Sequence, residues 1–113
     1  MLRKNVLRRQ KDFSTIYKKG KSMGGRYVVL FYRKNGLDYN RLGFLASKKV
    51  GNSVVRNRAR RLMKESYRKA EPNLQKGYDI ILIARNGIQL AKCDAVYRSM
   101  SSLLKKSGIF NEK

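Results

Sequence analysis

The stretch Tyr78–Ala84 is an almost unbroken apolar run that follows two helix-stopping residues, Pro72 and Gly77. A continuous apolar run of this length is typical of a β-strand that is covered on both faces. The chain therefore must build a sheet with protein packed against it.

Two other segments have strand character. Residues 27–33 are rich in β-branched and aromatic side chains, and residues 41–47 have the same character. The turn signal Asn35-Gly36 and the short link between these segments predict an antiparallel hairpin. Before them, Gly24 and Gly25 leave room for one very short strand near Ser22.

The first predicted helix spans residues 12–19. Asp12 is its expected N-cap, Phe13, Ile16 and Tyr17 recur on one face, and Gly20 is its stop. A long helix is predicted from Ser53 to about Ala70. Its apolar side, which should face the sheet, consists of Val55, Ala59, Leu62, Met63, Ser66 and Ala70.

A last helix follows the apolar strand and ends at Gly108, without a strong N-cap before it. Its apolar stripe contains Cys93, Val96, Tyr97, Met100, Leu103 and Leu104. The order of elements is thus α-β-β-β-α-β-α. It predicts a single α+β domain over residues 1–113, a two-layer sandwich in which three helices pack with one mixed four-stranded sheet.

The net charge of +21, from 28 basic and 7 acidic residues, disfavours a compact state unless a polyanion binds. We expect nucleic acid and not a membrane, because no apolar run approaches the ~20 residues of a spanning helix. The basic start lacks the apolar stretch of a secretory signal, so a cytoplasmic location is expected. With Cys93 alone and no histidine, neither an intramolecular disulfide nor a Cys/His metal site is predicted.

The segment 47–61 concentrates positive charge where the long helix should begin. Asn52 or Ser53 can cap the helix, which places Arg56 and Arg58 near the positive end of its dipole. This placement is unfavourable by about 0.3–1 kcal/mol per charge unless an anion is nearby. Free amides, guanidinium groups and the neutral side chain of Asn57 all favour phosphate. The alternative is a solvated basic helix face.

The same helix is predicted to carry a continuous basic ridge beside its apolar side. Helical spacing places on this ridge Arg56, Asn57, Arg60, Arg61, Lys64 and Arg68.

Groups for autonomous RNA cleavage are missing from the sequence. Hydrolysis needs a general acid and base, or carboxylates that hold metal ions together. Histidine is absent and the acids are dispersed, at Asp12, Asp38, Glu65, Glu71, Asp79, Asp94 and Glu112. We therefore assign no catalytic residue and no tightly bound metal to this chain, and a stand-alone nuclease is disfavoured.

Residues 41–61 resemble the signature of the bacterial ribonuclease P protein subunit. The match combines a strand, a Ser-Lys-Lys-x-Gly-Asn-x-Val turn and an Arg-Asn-Arg helix start, and similarity extends to residues 12–20 and 78–85. The resemblance implies a fold like that of a ribosomal-protein domain, with an unusual left-handed crossover. It also implies that an RNA subunit is the catalyst, which uses Mg²⁺ to remove the 5′ leader of precursor tRNA.

The resemblance further implies roles for individual residues. Contacts with the catalytic RNA fall on Lys48, Lys49, Asn52, Arg56, Asn57, Arg58, Arg60, Arg61, Lys64 and Arg68. The single-stranded leader is expected in a cleft between the sheet and the first helix, on Phe13, Tyr17 and Phe31. For Phe13 and Tyr17 the alternative is an ordinary core position, because their spacing is that of a buried helical face.

The leading hypothesis is therefore a protein cofactor of the ribonuclease P RNA, in a 1:1 complex with that RNA. The alternative is a ribosomal or other structural RNA-binding protein of similar fold, which basic charge alone does not exclude.

Overall fold

The sheet is built around its most apolar strand. The computed structural model describes residues 3–111, so both ends of the predicted domain, residues 1–2 and 112–113, lie outside the described residues. In chain order the elements are α1 (Gln10–Lys19), β1 (Lys21–Gly24), β2 (Val28–Lys34), β3 (Arg41–Leu45), α2 (Ser53–Ala70), β4 (Tyr78–Ala84) and α3 (Cys93–Ser107). Short 3₁₀ turns occur at Arg3–Asn5, Glu71–Asn73 and Ile88–Leu90. This order confirms the predicted α+β class.

The strands lie in the order β1-β2-β4-β3. Strand β4 is interior, antiparallel to β2 and parallel to β3, and Ile81 is the register partner of both Phe31 and Gly43. The predicted mixed four-stranded sheet is confirmed, including the short strand near Ser22. The parallel β3–α2–β4 connection confirms the crossover, whose left hand stays a prediction.

The predicted hairpin between β2 and β3 is wrong, because β4 lies between these two strands. A strand that is apolar on both faces is covered most completely at an interior position of the sheet, where other strands flank it and helices pack over it. The link 35–40 instead crosses the start of β4: the Asn35 amide donates to the Gly77 carbonyl over 2.9 Å, and the Tyr78 amide donates to Asn40 Oδ1 over 2.8 Å. The hairpin partner of β2 is β1.

Alternate residues of the strands support two separate apolar clusters. Leu30, Ile80 and Leu82 pack beneath α2 and α3, in the larger core. On the opposite face Ile81 packs with Ile16 of α1 and with Leu7. Helix α1 therefore covers part of the face that α2 and α3 leave free.

Helix α1 begins earlier than predicted. Arg9 is its N-cap without a side-chain hydrogen bond, and Asp12 lies in the first turn, where its carboxylate is 3.6 Å from Arg41 Nη1. The expectation that Asp12 caps the helix is therefore wrong: an ion pair with the neighbouring strand occupies its side chain. Gly20 follows the helix as predicted.

The two other helices agree closely with the predicted pattern. Helix α2 buries Ala59, Met63, Ser66 and Ala70, together with Tyr67, which the apolar pattern omitted. Helix α3 ends at Gly108, whose φ of +85° is in the left-handed region that favours glycine, and Lys92 at its start makes no side-chain cap.

Candidate nucleic-acid interface

A tight turn fixes the start of α2. The Val50 amide donates to the Ser47 carbonyl over 3.0 Å, and buried Val50 anchors the turn in the core. Gly51 has a φ of +152°, and a Cβ there would lie 2.8 Å from the Val55 side chain. The turn therefore requires glycine, and it leaves Lys48 and Lys49 exposed to solvent.

Asn52 is the N-cap of α2. Its Oδ1 accepts a hydrogen bond from the Val55 amide over 3.0 Å, while Ser53 is the first helical residue. Of the two candidate caps, the structure thus selects Asn52. No acidic residue lies in the first turn. The positive end of the dipole is therefore without an acidic partner on its own first turn, in a place where anions are favoured.

Arg56 brings a shielded hydrogen-bond donor to this surface. It is half-buried, and its Nε is fully shielded from solvent without a hydrogen-bond partner among the described residues. A buried donor without an acceptor costs about 1–3 kcal/mol. The Arg56 Nε–H can therefore accommodate a further hydrogen-bond acceptor, and it lies at the same helix end that favours an anion.

The basic ridge forms on one side of α2. Arg60, Lys64 and Arg68 follow one another at intervals of four residues. Asn57 lies beside them and accepts a hydrogen bond from Arg60 Nη1 over 2.7 Å. Among the cations of this ridge, the described part of the chain gives a carboxylate partner only to Arg68, 3.7 Å from Glu65. The predicted ridge is thus contiguous, with exposed or half-buried side chains.

Arg58 lies at the border of the ridge. It is exposed and lies about 160° around the helix from Arg60, but only about 60° from Arg61, which follows it by three residues. Arg61 is on the ridge side and also exposed. Arg58 therefore widens the cationic surface on the flank marked by Arg61.

The three predicted leader-binding aromatics gather on the face of the sheet that carries α1. Tyr17 and Phe31 meet edge to face, with ring centroids 5.0 Å apart at 82°. The Phe13 ring packs on Gly43, where a Cβ would be 2.8 Å from Cε1 of the ring. Tyr17 remains 42% exposed, whereas the neighbouring Ile16 is 1% exposed. Ile16 is thus the core residue of α1, while Tyr17 lies at the edge of an open apolar face.

A groove of about 410 Å³ lies between Phe13 of the aromatic face and the ridge. Its walls include Phe13, Phe44, Leu45, Lys64, Tyr67 and Arg68. Sequence reasoning missed Phe44 and Tyr67 as members of this groove. The signal for Tyr67 was available, since it follows Met63 by four residues on the buried side of α2.

The carboxylates of the described segment do not form a metal centre. No group of three or more histidine, cysteine, aspartate or glutamate residues is placed to hold a metal ion in residues 3–111. Asp12 and Asp79 both pair with Arg41. In the same part of the chain no helix is both long and apolar enough to cross a membrane.

The fold and this surface define a strongly basic α+β protein whose central helix begins at a site suited to phosphate. Comparison with known proteins identifies the family. A model of the family described as Ribonuclease P matches residues 1–108. The ribonuclease P protein component of Clostridium botulinum is 45% identical over 111 residues, covering 97% of this chain and 100% of that protein. That of Caldanaerobacter subterraneus is 42% identical over 107 residues, 95% and 92% of the two chains.

Solved structures agree with these relatives. The RNase P protein of Staphylococcus aureus superposes with a TM-score of 0.84 at 33% identity, covering 95% of this chain and 98% of the other. The RNase P protein of Thermotoga maritima gives a TM-score of 0.81 at 35% identity, with 89% and 96% coverage. The chain belongs to the bacterial ribonuclease P protein family. It is a subunit of the endoribonuclease that processes the 5′ end of tRNA, and as such it associates with ribonuclease P RNA.

Proposed function

We propose that this chain binds ribonuclease P RNA through the start and ridge of α2 and binds the precursor-tRNA leader through the aromatic face. The observation that best supports the proposal concerns the side chain of Arg56. Its buried Nε has no acceptor within residues 3–111, and it lies at a helix end without an acidic residue in its first turn. A phosphate there would satisfy the donor and the dipole together. The contact residues are Lys48, Lys49, Asn52, Arg56, Asn57, Arg58, Arg60, Arg61, Lys64 and Arg68.

The leader is proposed to stack on Tyr17 and Phe31, with Phe13 supporting the cleft. Base stacking on aromatic rings contributes about 1–3 kcal/mol per base and tolerates many sequences. The exposed ring of Tyr17 and the half-buried ring of Phe31 offer such a platform. Phe13 shares a groove with Lys64 and Arg68 of the ridge, which supports a leader path that runs toward the catalytic RNA.

In this proposal the chemistry belongs to the RNA, and Mg²⁺ supplies charge stabilisation on RNA phosphates during hydrolysis. The protein contributes cations where phosphates crowd together, which lowers the Mg²⁺ concentration that the complex needs. We expect one protein molecule per RNA molecule, because each protein has one helix ridge and one cleft. Because phosphate contacts dominate, affinity should fall by about 10³–10⁵ between 50 and 200 mM salt if six to ten contacts form.

The test is cleavage of precursor tRNA at low Mg²⁺ by the protein alone, by a bacterial ribonuclease P RNA alone, and by the two together. Correct 5′ maturation only in the mixture supports the proposal. No gain over RNA alone would contradict the cofactor role, and cleavage by the protein alone would place catalysis in this chain.

Assembly is tested separately with Arg58→Ala. The side chain is exposed, so the variant should stay folded and bind the RNA more weakly. Unchanged RNA affinity in the folded variant would remove Arg58 from the contact surface.

A further inference from the structure

A second basic concavity lies between the tip of the β1–β2 hairpin and α3. This hairpin–helix pocket has a volume of about 540 Å³, and its polar wall comprises Gly25, Arg26, Arg98, Ser99, Ser102 and Lys106. None of these residues belongs to the interface proposed above.

The hairpin–helix pocket and the α2 ridge lie at opposite edges of the sheet. Helix α3 packs over β1 and β2, whereas α2 packs over β3 and β4. With the strand order β1-β2-β4-β3, the edge strands are three intervals apart, or about 14 Å. The widths of the helices add to this separation. The two surfaces therefore face different parts of any RNA that this protein binds.

The cations of the pocket are not neutralised by the fold. Within residues 3–111 every ion pair involves either Arg41 or Arg68, so Arg26, Arg98 and Lys106 have no carboxylate within 4 Å. These three cations lie around one concavity in a chain of net charge +21. Their mutual repulsion is unfavourable unless an anion binds between them.

The pocket is also held rigidly in place. Arg85 Nη1 donates to the Gly25 carbonyl over 2.8 Å, and the Arg85 amide donates to the Tyr27 carbonyl over 2.9 Å. A Cβ on Gly25 would lie 2.9 Å from Leu103 Cδ1, so the hairpin tip packs closely on α3. The Arg26 guanidinium lies 5.3 Å from the Tyr27 ring centre. Because these residues are already ordered, less conformational entropy of the protein is lost when a ligand binds.

We propose that the hairpin–helix pocket binds backbone phosphates of a second segment of ribonuclease P RNA while the α2 ridge holds the first. The inference rests on the proposed function, because it assumes that the ridge binds this RNA. Contact at two separate edges makes the second binding event intramolecular, so each surface strengthens the other without new contacts between them.

The test compares two pairs of substitutions that remove the same charge. Arg98→Ala with Lys106→Ala empties the pocket of two cations. Lys34→Ala with Lys76→Ala is the matched control, since both lysines are exposed, neither lines the pocket, and Lys34 lies at the end of β2 away from the hairpin tip. Affinity for a bacterial ribonuclease P RNA is measured at several salt concentrations and constant Mg²⁺. Thermal unfolding of each protein checks the fold.

We expect the pocket pair to bind the RNA about 10-fold more weakly or worse, with a salt slope smaller by about 2. The control pair should change affinity by less than about threefold, because exposed charges outside the pocket are screened by salt. Equal losses in the two pairs would overturn the inference.

Arg60→Ala with Arg61→Ala, measured in parallel, separates the two proposals. If only this ridge pair weakens binding, the pocket inference is wrong and the proposed function stands. If none of the pairs does, the proposed function is wrong as well. Should the pocket pair unfold, Ser102→Glu places a negative charge in the pocket from an exposed position, with Ser102→Ala as its control. Equal RNA affinity of these two variants would also overturn the inference.

Discussion

Arg41 and Asp79 form a bidentate ion pair across the parallel strands β3 and β4. Arg41 Nε lies 2.8 Å from Asp79 Oδ1, and Nη2 lies 2.7 Å from Oδ2. Asp79 is 3% exposed and also accepts a hydrogen bond from Asn35 Nδ2 over 2.9 Å. Arg41 begins the signature stretch 41–61, yet its guanidinium is committed within the fold. The pair joins β3, β4, the link 35–40 and, through Asp12, helix α1.

Arg41→Ala should destabilise the protein strongly. Among the described residues it leaves the buried Asp79 carboxylate with the Asn35 amide as its remaining side-chain donor, and removing one partner of a buried pair costs about 3–5 kcal/mol. The partial exposure of Arg41 moves our expectation to the lower end, about 3 kcal/mol. Urea unfolding at pH 7 measures this loss in the free energy of unfolding.

Arg33→Ala is the matched control for that substitution. Arg33 is the register partner of Asp79 from the other neighbouring strand, but the described residues place no carboxylate within 4 Å of it. Its free energy of unfolding should change by less than about 1 kcal/mol, as for most surface sites. Equal losses for Arg33→Ala and Arg41→Ala would mean that the ion pair is not what Arg41 contributes.

Arg56→Lys should weaken binding to ribonuclease P RNA although it keeps the charge. Lysine lacks the planar fork of donors, including the Nε–H that is buried without an acceptor in the described part of the chain. We expect a loss of about 10-fold, equal to about 1.4 kcal/mol, with folding stability unchanged or slightly higher. Arg58→Lys is the control: its side chain is exposed, and affinity should fall less than about threefold. If the two variants lose affinity equally, the burial of Arg56 has no special role in binding.

Phe31→Ala should reduce the preference for precursor tRNA over mature tRNA. Removing a stacking ring costs about 1–3 kcal/mol, a factor of about 5–150, and only the precursor carries the leader. Dissociation constants of the holoenzyme for the two RNAs give the ratio. Phe110→Ala serves as control, since Phe110 is half-buried in the core beneath α2 and α3, on the other face of the sheet. If Phe31→Ala weakened binding of precursor and mature tRNA to a similar extent, leader stacking would not occur at this position.

Local sequence patterns predicted the helices and strands of this fold, but not everywhere which of them lie side by side in space. The bounds of α2 and β4 follow from a side-chain cap, helical spacing and an apolar run, which are properties of adjacent residues. The false hairpin arose because Asn35-Gly36 is a local turn signal, whereas strand order depends on which strand needs cover on both faces. Asp12 was misplaced for a similar reason, since its partner Arg41 is distant in sequence.

The candidate site divides in the same way. The cations of α2 are contiguous at helical spacing, so the sequence alone located the ridge. The hairpin–helix pocket brings Arg26 of one turn to Arg98 and Lys106 of another element, and only the packing of α3 on β1 and β2 makes them neighbours. The burial of Arg56 Nε is likewise a property of the folded surroundings and leaves no pattern in the sequence.

Tyr67→Phe should change how stability depends on pH. Burial raises the pKa of Tyr67 to about 12, an effect that the nearby Asn40 opposes. Its hydroxyl has no partner within 3.5 Å among the described residues, and Asn40 is already engaged by the Tyr78 amide and the Gln75 carbonyl. At neutral pH the loss of this unpaired hydroxyl should therefore be neutral or stabilising by about 1 kcal/mol.

Above pH 10 the unfolded chain releases the Tyr67 proton while the folded protein retains it. The wild type thus loses stability as the pH rises from about 10 to 12, by roughly 2–3 kcal/mol for this residue. Tyr67→Phe should lack this part of the decline, so its advantage over the wild type should grow between pH 8 and pH 11.5 in urea unfolding. Tyr97→Phe, which removes the hydroxyl of a half-buried ring, is the control. If the difference between Tyr67→Phe and wild type stays constant with pH, the buried hydroxyl does not hold its proton as inferred.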